Sequence, residues 1–360
     1  MSIESHVHDG SAWRKAKRIY VHDGAAWRDC KEAWCHDGAA WRKVFARGYW
    51  ELLISSNSGL PSGYQYLHPT VFGGEYYVVA ATVSPSATRE FGVFKWNGTA
   101  WAQVGSYVSV ANWEDMGYLF PHNGELWIAS TGGGFTLYKI SGGSISLVTT
   151  NYGVYSIFSP SRGICSDGTD LYVVDVFAAG GGAVQKWNGS WSSVGTVYEA
   201  QSVCVFGGSL YVVGSTVSGG SSSDFRIKKW SGAAWVDQTY GGDPSNAYLF
   251  SGTSDLYAVN DTYDVYQSTG GAFGALSGVN PADNYVSARR DSFGGIPILG
   301  VTDGSDNFNS ARGSTLAKLI TDTADVGNYI GLHEDGGTLY RTSYNSPPTI
   351  TVWRYAGDLP

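Results

Sequence analysis

The chain has 360 residues and a formal net charge of −8, with 49 glycines, 11 prolines, 15% charged and 14% aromatic residues. Glycine at roughly twice its ordinary share and charge below the ~25% of average globular proteins exclude a coiled coil and a disordered tail, and favour short strands with tight turns. Residues 1–47 hold nine Lys/Arg against six Asp/Glu and residues 48–360 hold 14 against 25; the acidic body argues against nucleic acid as a partner, and with no run near ~18 apolar residues no membrane insertion is expected.

The N-terminus is polar and charged through Lys31, so no secretory signal is expected. Three copies of one phrase then stand 14 residues apart: HDGSAWRK from His8, HDGAAWRD from His22 and HDGAAWRK from His36. Asp-Gly between apolar flanks is a hairpin-turn signal, because glycine accepts the positive φ of a tight turn. Each copy is expected as strand, turn, strand, with Trp13, Trp27 and Trp41 as its apolar payload. So polar a segment buries little and needs neighbouring copies, other chains or a larger assembly. Cys30, Cys35 and His36 have C-x4-C-H spacing without the second ligand pair of a zinc site, so a structural turn is the preferred reading. With Cys165 and Cys204 the cysteines number four, too few for a disulfide framework, and synthesis in a reducing cytoplasm is expected. The break in composition near Gly48 sets a boundary between residues 1–47 and 48–360.

A second period, near 44 residues, begins around residue 70. Its first mark is a turn and an apolar strand: FGGEYYVV (Phe72–Val79), HNGELWIA (His122–Ala129), DGTDLYVV (Asp167–Val174), FGGSLYVV (Phe206–Val213), GTSDLYAV (Gly252–Val259), FGGIPILG (Phe293–Gly300) and DGGTLYRT (Asp335–Thr342). Its second mark is VFKW, LYKI, VQKW, IKKW, VYQS, LAKL (Leu316–Leu319) and VWRY (Val352–Tyr355), mostly followed by a turn and an aromatic residue such as Trp101, Trp191, Trp235 or Phe273. Seven repeats of two marks in constant order predict an all-β fold, a seven-bladed β-propeller of four-stranded sheets preceded by the small hairpin segment. The seventh repeat lacks an outermost strand, and YWELLIS (Tyr49–Ser55) is placed to supply it and close the ring.

The turns inside each mark keep nearly constant length, whereas the connections between marks and between repeats vary. Variable loops on a fixed scaffold are the usual place for recognition. The candidate ligand-binding residues there are Arg89, Trp113, Glu114, Asp115, Asp243, Asp261, Tyr263, Asp264, Tyr285 and Arg289, with Glu90 beside the first. Aromatic rings beside carboxylates and amides suit a sugar, whose C–H face stacks on a ring while its hydroxyls meet polar groups. No hydrolase, metalloprotease or phosphate-loop motif occurs, so no catalytic residue, metal or cofactor is assigned. DGSDNFN (Asp303–Asn309) departs from EF-hand spacing and is taken as a solvated loop.

The body resembles kelch-like and galactose-oxidase-like proteins in architecture, which implies a fold and no activity. The phrase at His8–Arg14, His22–Arg28 and His36–Arg42 resembles the (N/H)DG-x-W-(R/K) repeats of bacteriophage tail and tail-fibre proteins, with His in place of the commoner Asn. That resemblance implies a non-enzymatic virion component made in the host cytoplasm. Residues 1–47 would join other tail or baseplate proteins, and the propeller would recognise a host surface glycan or receptor, with a homo-oligomer possible. A structural tail-tip protein that binds only virion proteins, and a glycan-cleaving depolymerase, are the alternatives.

Overall fold

The computed structural model describes residues 6–8, 13–15, 20–22, 27–29, 32–36, 41–46, 49–82, 90–110, 117–130, 134–151, 154, 163–175, 183–245, 247–251, 255–259, 265–275, 289–293, 296–302, 308–312, 317–322, 329–335, 338–345 and 349–356. Two compact units emerge, residues 1–53 with 353–360, and residues 54–352.

In the first unit the three phrases are three hairpins. β1 (His6–His8) pairs with β2 (Trp13–Lys15), β3 (Tyr20–His22) with β4 (Trp27–Asp29), and β5 (Glu32–His36) with β6 (Trp41–Ala46). The register repeats as the sequence does: His8 faces Trp13, His22 faces Trp27 and His36 faces Trp41. β7 (Tyr49–Ser56) follows.

Among the described residues the remaining strands form seven four-stranded sheets. Sheet one is β8 (Tyr64–Phe72), β9 (Glu75–Thr82), β10 (Glu90–Trp96) and β11 (Trp101–Ser109). Sheet two is β12 (Tyr118–His122), β13 (Glu125–Ser130), β14 (Phe135–Ser141) and β15 (Ser144–Asn151). Sheet three is β16 (Ile164–Ser166), β17 (Leu171–Val174), β18 (Val184–Trp187) and β19 (Trp191–Ser193). Sheet four is β20 (Tyr198–Phe206), β21 (Ser209–Ser215), β22 (Phe225–Trp230) and β23 (Trp235–Asp237). Sheet five is β24 (Tyr248–Ser251), β25 (Leu256–Val259), β26 (Val265–Ser268) and β27 (Gly274–Ala275). Sheet six is β28 (Arg289–Phe293), β29 (Ile296–Thr302), β30 (Phe308–Arg312) and β31 (Ala317–Asp322). Sheet seven takes β32 (Tyr329–Asp335), β33 (Thr338–Asn345) and β34 (Thr349–Ala356), with β7 as its fourth strand, so Tyr49–Ser55 supplies the strand the last repeat lacks.

In each sheet the first mark forms the second strand. The second mark forms the third strand except in sheet six, where Leu316–Leu319 runs into the fourth strand, and Phe308–Arg312 is the third. Arg312 there faces Ile298, the register position of the third-strand lysines elsewhere. The FNSAR strand carries no Lys-Trp pair, so the mark-like LAKL next to it matches the pattern in its place.

The turns within the first marks follow from their residues. Gly73-Gly74, Asn123-Gly124 and Gly207-Gly208 all have positive φ at both positions, as a two-residue turn matched to strand twist requires. Asn123 is the one non-glycine of these six, a residue whose short amide tolerates that region.

Alternation along the second strands joins one sheet to the next. In β13, Leu126 and Ile128 pack with Val79, Phe91 and Val93 of sheet one, while Trp127 and Ala129 pack with Leu171 and Val173 of sheet three. In β21, Leu210 and Val212 meet Val174 and Val184 of sheet three, and Tyr211 and Val213 meet Leu249 and Leu256 of sheet five. The leucine position thus faces backward along the chain and the aromatic position forward. β28 lies beside both β24 and β32, and β32 and β33 lie beside β8. At the last of these junctions Tyr340, at the aromatic position of sheet seven, meets Tyr76, at the leucine position of sheet one, with centroids 6.1 Å apart.

In sheets one, two, four and seven the residue before the first-mark turn makes a second junction in the same direction. Phe72 packs into the cluster shared with sheet two, and Phe206 into that shared with sheet five. His122 meets Ser166 Oγ of sheet three through Nδ1 at 2.7 Å. Asp335 accepts the backbone N–H groups of Gly73 and Gly74 at 2.9 and 2.6 Å.

Candidate functional site

Up-and-down strand order puts the turns inside the marks at one end of each sheet and the variable connections at the other. The variable end of sheet four is built from two connections. The first, from β21 to β22, is tied down by its own polar groups: Thr216 N donates to Asp224 O at 3.1 Å, and Ser215 Oγ to Val217 O at 2.7 Å. Its 3-10 turn Ser222–Asp224 is capped reciprocally, with Asp224 Oδ2 accepting both the N–H and the hydroxyl of Ser221 at 2.8 Å. Those bonds from Ser221 hold the Asp224 carboxyl below its usual range, with a smaller pull from Arg226.

Arg226 follows, half-buried at the start of β22. Its Nη1 donates to Ser223 O and to Phe225 O, both at 2.6 Å. One nitrogen is thereby committed to backbone, and Nε and Nη2 carry no hydrogen bond to a described residue. Two residues along, Lys228 is 8% exposed and its ammonium is neutralised by Asp237 at 2.5 Å.

The second connection leads from β23 to β24. Phe273 N donates to Thr239 O at 2.8 Å, and the Tyr240 ring lies 4.4 Å from Tyr266 and 5.8 Å from Phe273, centroid to centroid. A Cβ on Gly242 would come within 2.5 Å of the Tyr266 hydroxyl, so a larger residue there would have to push the Tyr266 ring aside. Asp243 Oδ1 accepts Ser245 N at 2.8 Å, a local turn that sets the chain toward Pro244. Between the start of β22 and the second connection lies a cleft of about 330 Å³ lined by Arg226, Ile227, Asp237, Gln238, Thr239, Tyr240, Gly242 and Pro244. That is within the range of small-molecule sites, with ring, amide, hydroxyl, carboxylate and guanidinium groups together.

One backbone outlier sits at the same end of this sheet. Glu199, in the irregular part of β20, has φ of 45° and accepts Gly219 N at 2.7 Å through Oε1. A non-glycine held there costs about 1 kcal/mol or more and is kept by the surrounding bonds.

Of the residues expected to bind ligand, Asp243 flanks this cleft between two lining residues. Arg289 opens β28. Arg89, Trp113, Glu114, Asp115, Asp261, Tyr263, Asp264 and Tyr285 lie outside the described residues. Glu90 is at the variable end of sheet one, where its carboxylate accepts the Tyr64 hydroxyl at 2.6 Å; that bond, with burial, raises the Tyr64 pKa. Arg226 and Tyr240 escaped sequence reasoning because neither belongs to a repeat mark. The run Tyr-Gly-Gly-Asp-Pro at Tyr240–Pro244 is the signal that would have drawn attention to them. Among the described residues no group of His, Cys, Asp and Glu is arranged to hold a metal ion.

No protein-family model matches the chain, and no curated protein matches it either.

Proposed function

We propose that the chain is a bacteriophage tail-fibre or receptor-binding protein. In this reading its seven sheets close as a seven-bladed β-propeller, the variable end recognises a host surface glycan, and residues 1–47 join it to the virion. Closure draws support from the junction of sheet seven with sheet one. Tyr340 to Tyr76 and Asp335 to Gly73 and Gly74 repeat the two forward contacts that link consecutive sheets elsewhere. Attachment through residues 1–47 draws support from three hairpins in one register, each a two-stranded sheet of the kind that is marginal in water unless something covers it.

The observation that carries glycan recognition is the cleft between Arg226 and Tyr240, at the end of the sheet where connections vary. It combines an aromatic ring with hydroxyl, amide and charged groups, the mixture a sugar's two kinds of surface require. The test is adsorption. Host cells incubated with an excess of the purified full chain should take up virions at least tenfold more slowly, and virions lacking residues 48–360 should fail to adsorb. Unchanged adsorption in both experiments would refute the reading.

A further inference from the structure

We propose that the cleft of sheet four takes an acidic sugar, gripping its carboxylate with the free edge of Arg226 and setting its ring beside Tyr240. This rests on the glycan-binding reading and narrows it to one substrate class.

The open edge of Arg226 decides between acidic and neutral sugars, because a guanidinium edge is matched by a carboxylate's two oxygens and not by a single hydroxyl. Five charged groups stand in or beside the cleft. Asp237 is answered by Lys228, leaving that pair neutral. Asp224 spends its outer oxygen on the N–H and hydroxyl of Ser221. Asp243, on the flank, turns one oxygen to Ser245 N. Arg226 makes no hydrogen bond or ion pair with a carboxylate among the described residues: Asp224 feels its charge, but its bonds run to two neutral carbonyls. Those bonds use Nη1 alone. The edge that remains, Nε with Nη2, is one of the two faces by which a guanidinium holds a carboxylate with paired hydrogen bonds. Anchoring through Nη1 also fixes the side chain beforehand, so less rotamer freedom is lost on binding.

The rest of the cleft suits a pyranose. Tyr240 is held from behind by Tyr266 and Phe273, which makes it a rigid platform. Thr239 is exposed and offers its hydroxyl, while Gln238 already donates its amide to Val236 O at 3.0 Å and presents its carbonyl oxygen. A volume of about 330 Å³ accommodates one or two sugar rings.

The experiment compares methyl β-D-glucuronide with methyl β-D-glucoside, which differ only at C6, by ligand-observed NMR titration of the full chain; methyl galacturonide and methyl sialoside complete the acidic set. At least one acidic glycoside should bind tenfold or more tightly than its neutral counterpart. Arg226→Gln should erase that preference, and Arg226→Lys, which keeps the charge and loses the paired edge, should cut it severalfold. Unchanged thermal unfolding of both variants checks that the site, and not the fold, was altered. Equal binding of acidic and neutral sugars, a preference that survives Arg226→Gln, or no binding by any acidic glycoside would each overturn the proposal. If the Arg226→Gln chain still blocks virion adsorption as well as the unaltered chain does, this assignment falls and glycan recognition elsewhere stands; if neither blocks it, the parent reading falls.

Discussion

His122 shows how one repeat position carries different chemistry in different sheets. It ends β12 where Phe72 and Phe206 end the corresponding strands, is 5% exposed, and packs edge-on against Trp127 at 5.0 Å. Burial pushes its pKa below the ordinary histidine value, although the carboxylates of Asp167, Glu125 and Asp170 pull the other way. A depressed folded-state pKa means that the stabilising contribution is complete above about pH 6.5, the unfolded value, and is lost as pH falls through the folded one. Urea midpoints should therefore fall between pH 7 and pH 5. His122→Phe, which installs the residue used in the sibling sheets, should flatten that limb. An acid limb as steep in His122→Phe as in the unaltered chain would contradict this. The third-strand lysines tell a complementary story at the surface. Lys95 pairs with Glu75, Lys139 with Glu125 and Lys186 with Asp170, and where Ser209 replaces the acid, Lys229 sits over the Tyr211 ring at 5.5 Å. Pairs this exposed contribute at most about 1 kcal/mol each, so they mark register more than they hold it.

At the scale of elements, the hairpin between third and fourth strands is the fastener of sheets one, three and four. Trp96 with Trp101, Trp187 with Trp191 and Trp230 with Trp235 face one another across it, with centroids 5.1 to 5.4 Å apart. The second tryptophan also reaches back: Trp191 Nε1 donates to Thr149 Oγ1 in the fourth strand of sheet two, and Trp235 Nε1 to Val194 O just past that of sheet three. Two glycines separate the costs. Gly232, at a hairpin tip, has φ of 94° with open space around it, whereas Gly195 has φ of 61° and a Cβ there would meet the Trp230 ring at 2.5 Å. Gly232→Ala should cost about 1 kcal/mol of backbone strain, and Gly195→Ala about 1–3 kcal/mol more because the tryptophan pair must move; denaturant unfolding of the two variants makes the comparison, and equal losses would show that the ring contact is not tight. Much of this was legible beforehand. The turn pairs, the alternation of apolar residues and the order of the two marks are local consequences of glycine φ and strand period, so they repeat in sequence as they repeat in space. The cleft was not legible, because Arg226, one residue ahead of the IKKW mark in β22, and Tyr240, in the connection from β23 to β24, belong to no repeat mark and meet only through folding. Asp243 was singled out as a carboxylate in a variable loop, and part of its work proves to be holding that loop's turn.

For the whole molecule, the question is what closes the proposed ring. β7 lies on β34, and Arg354 Nη2 meets Glu51 Oε2 at 2.5 Å across them. The end of β7 then does for sheet one what fourth strands do for sheets three and four: Trp101 Nε1 donates to Ser56 O at 2.9 Å, and Trp101 N to Ser58 O at 2.8 Å. A strand from the start of the chain thus occupies the place of a seventh fourth strand. Gly59 follows with φ of 85°, its α-carbon so close to the Trp101 carbonyl that a Cβ would lie 2.1 Å from the oxygen. Removing residues 1–47 takes away the hairpins and leaves these contacts, so thermal unfolding of the remainder should stay within a few degrees of the full chain. Removing residues 1–56 strips the fourth strand from sheet seven, leaves β34 as an open edge and takes the acceptor from the Trp101 indole. Each unmet bond of this kind costs about 1 kcal/mol or more, and an eight-residue strand loses several along with its side-chain packing, so a fall of at least ten degrees or aggregation is expected. The two truncations unfolding at the same temperature would mean that β7 fastens nothing, and the ring would have to be held by sheets one and seven alone.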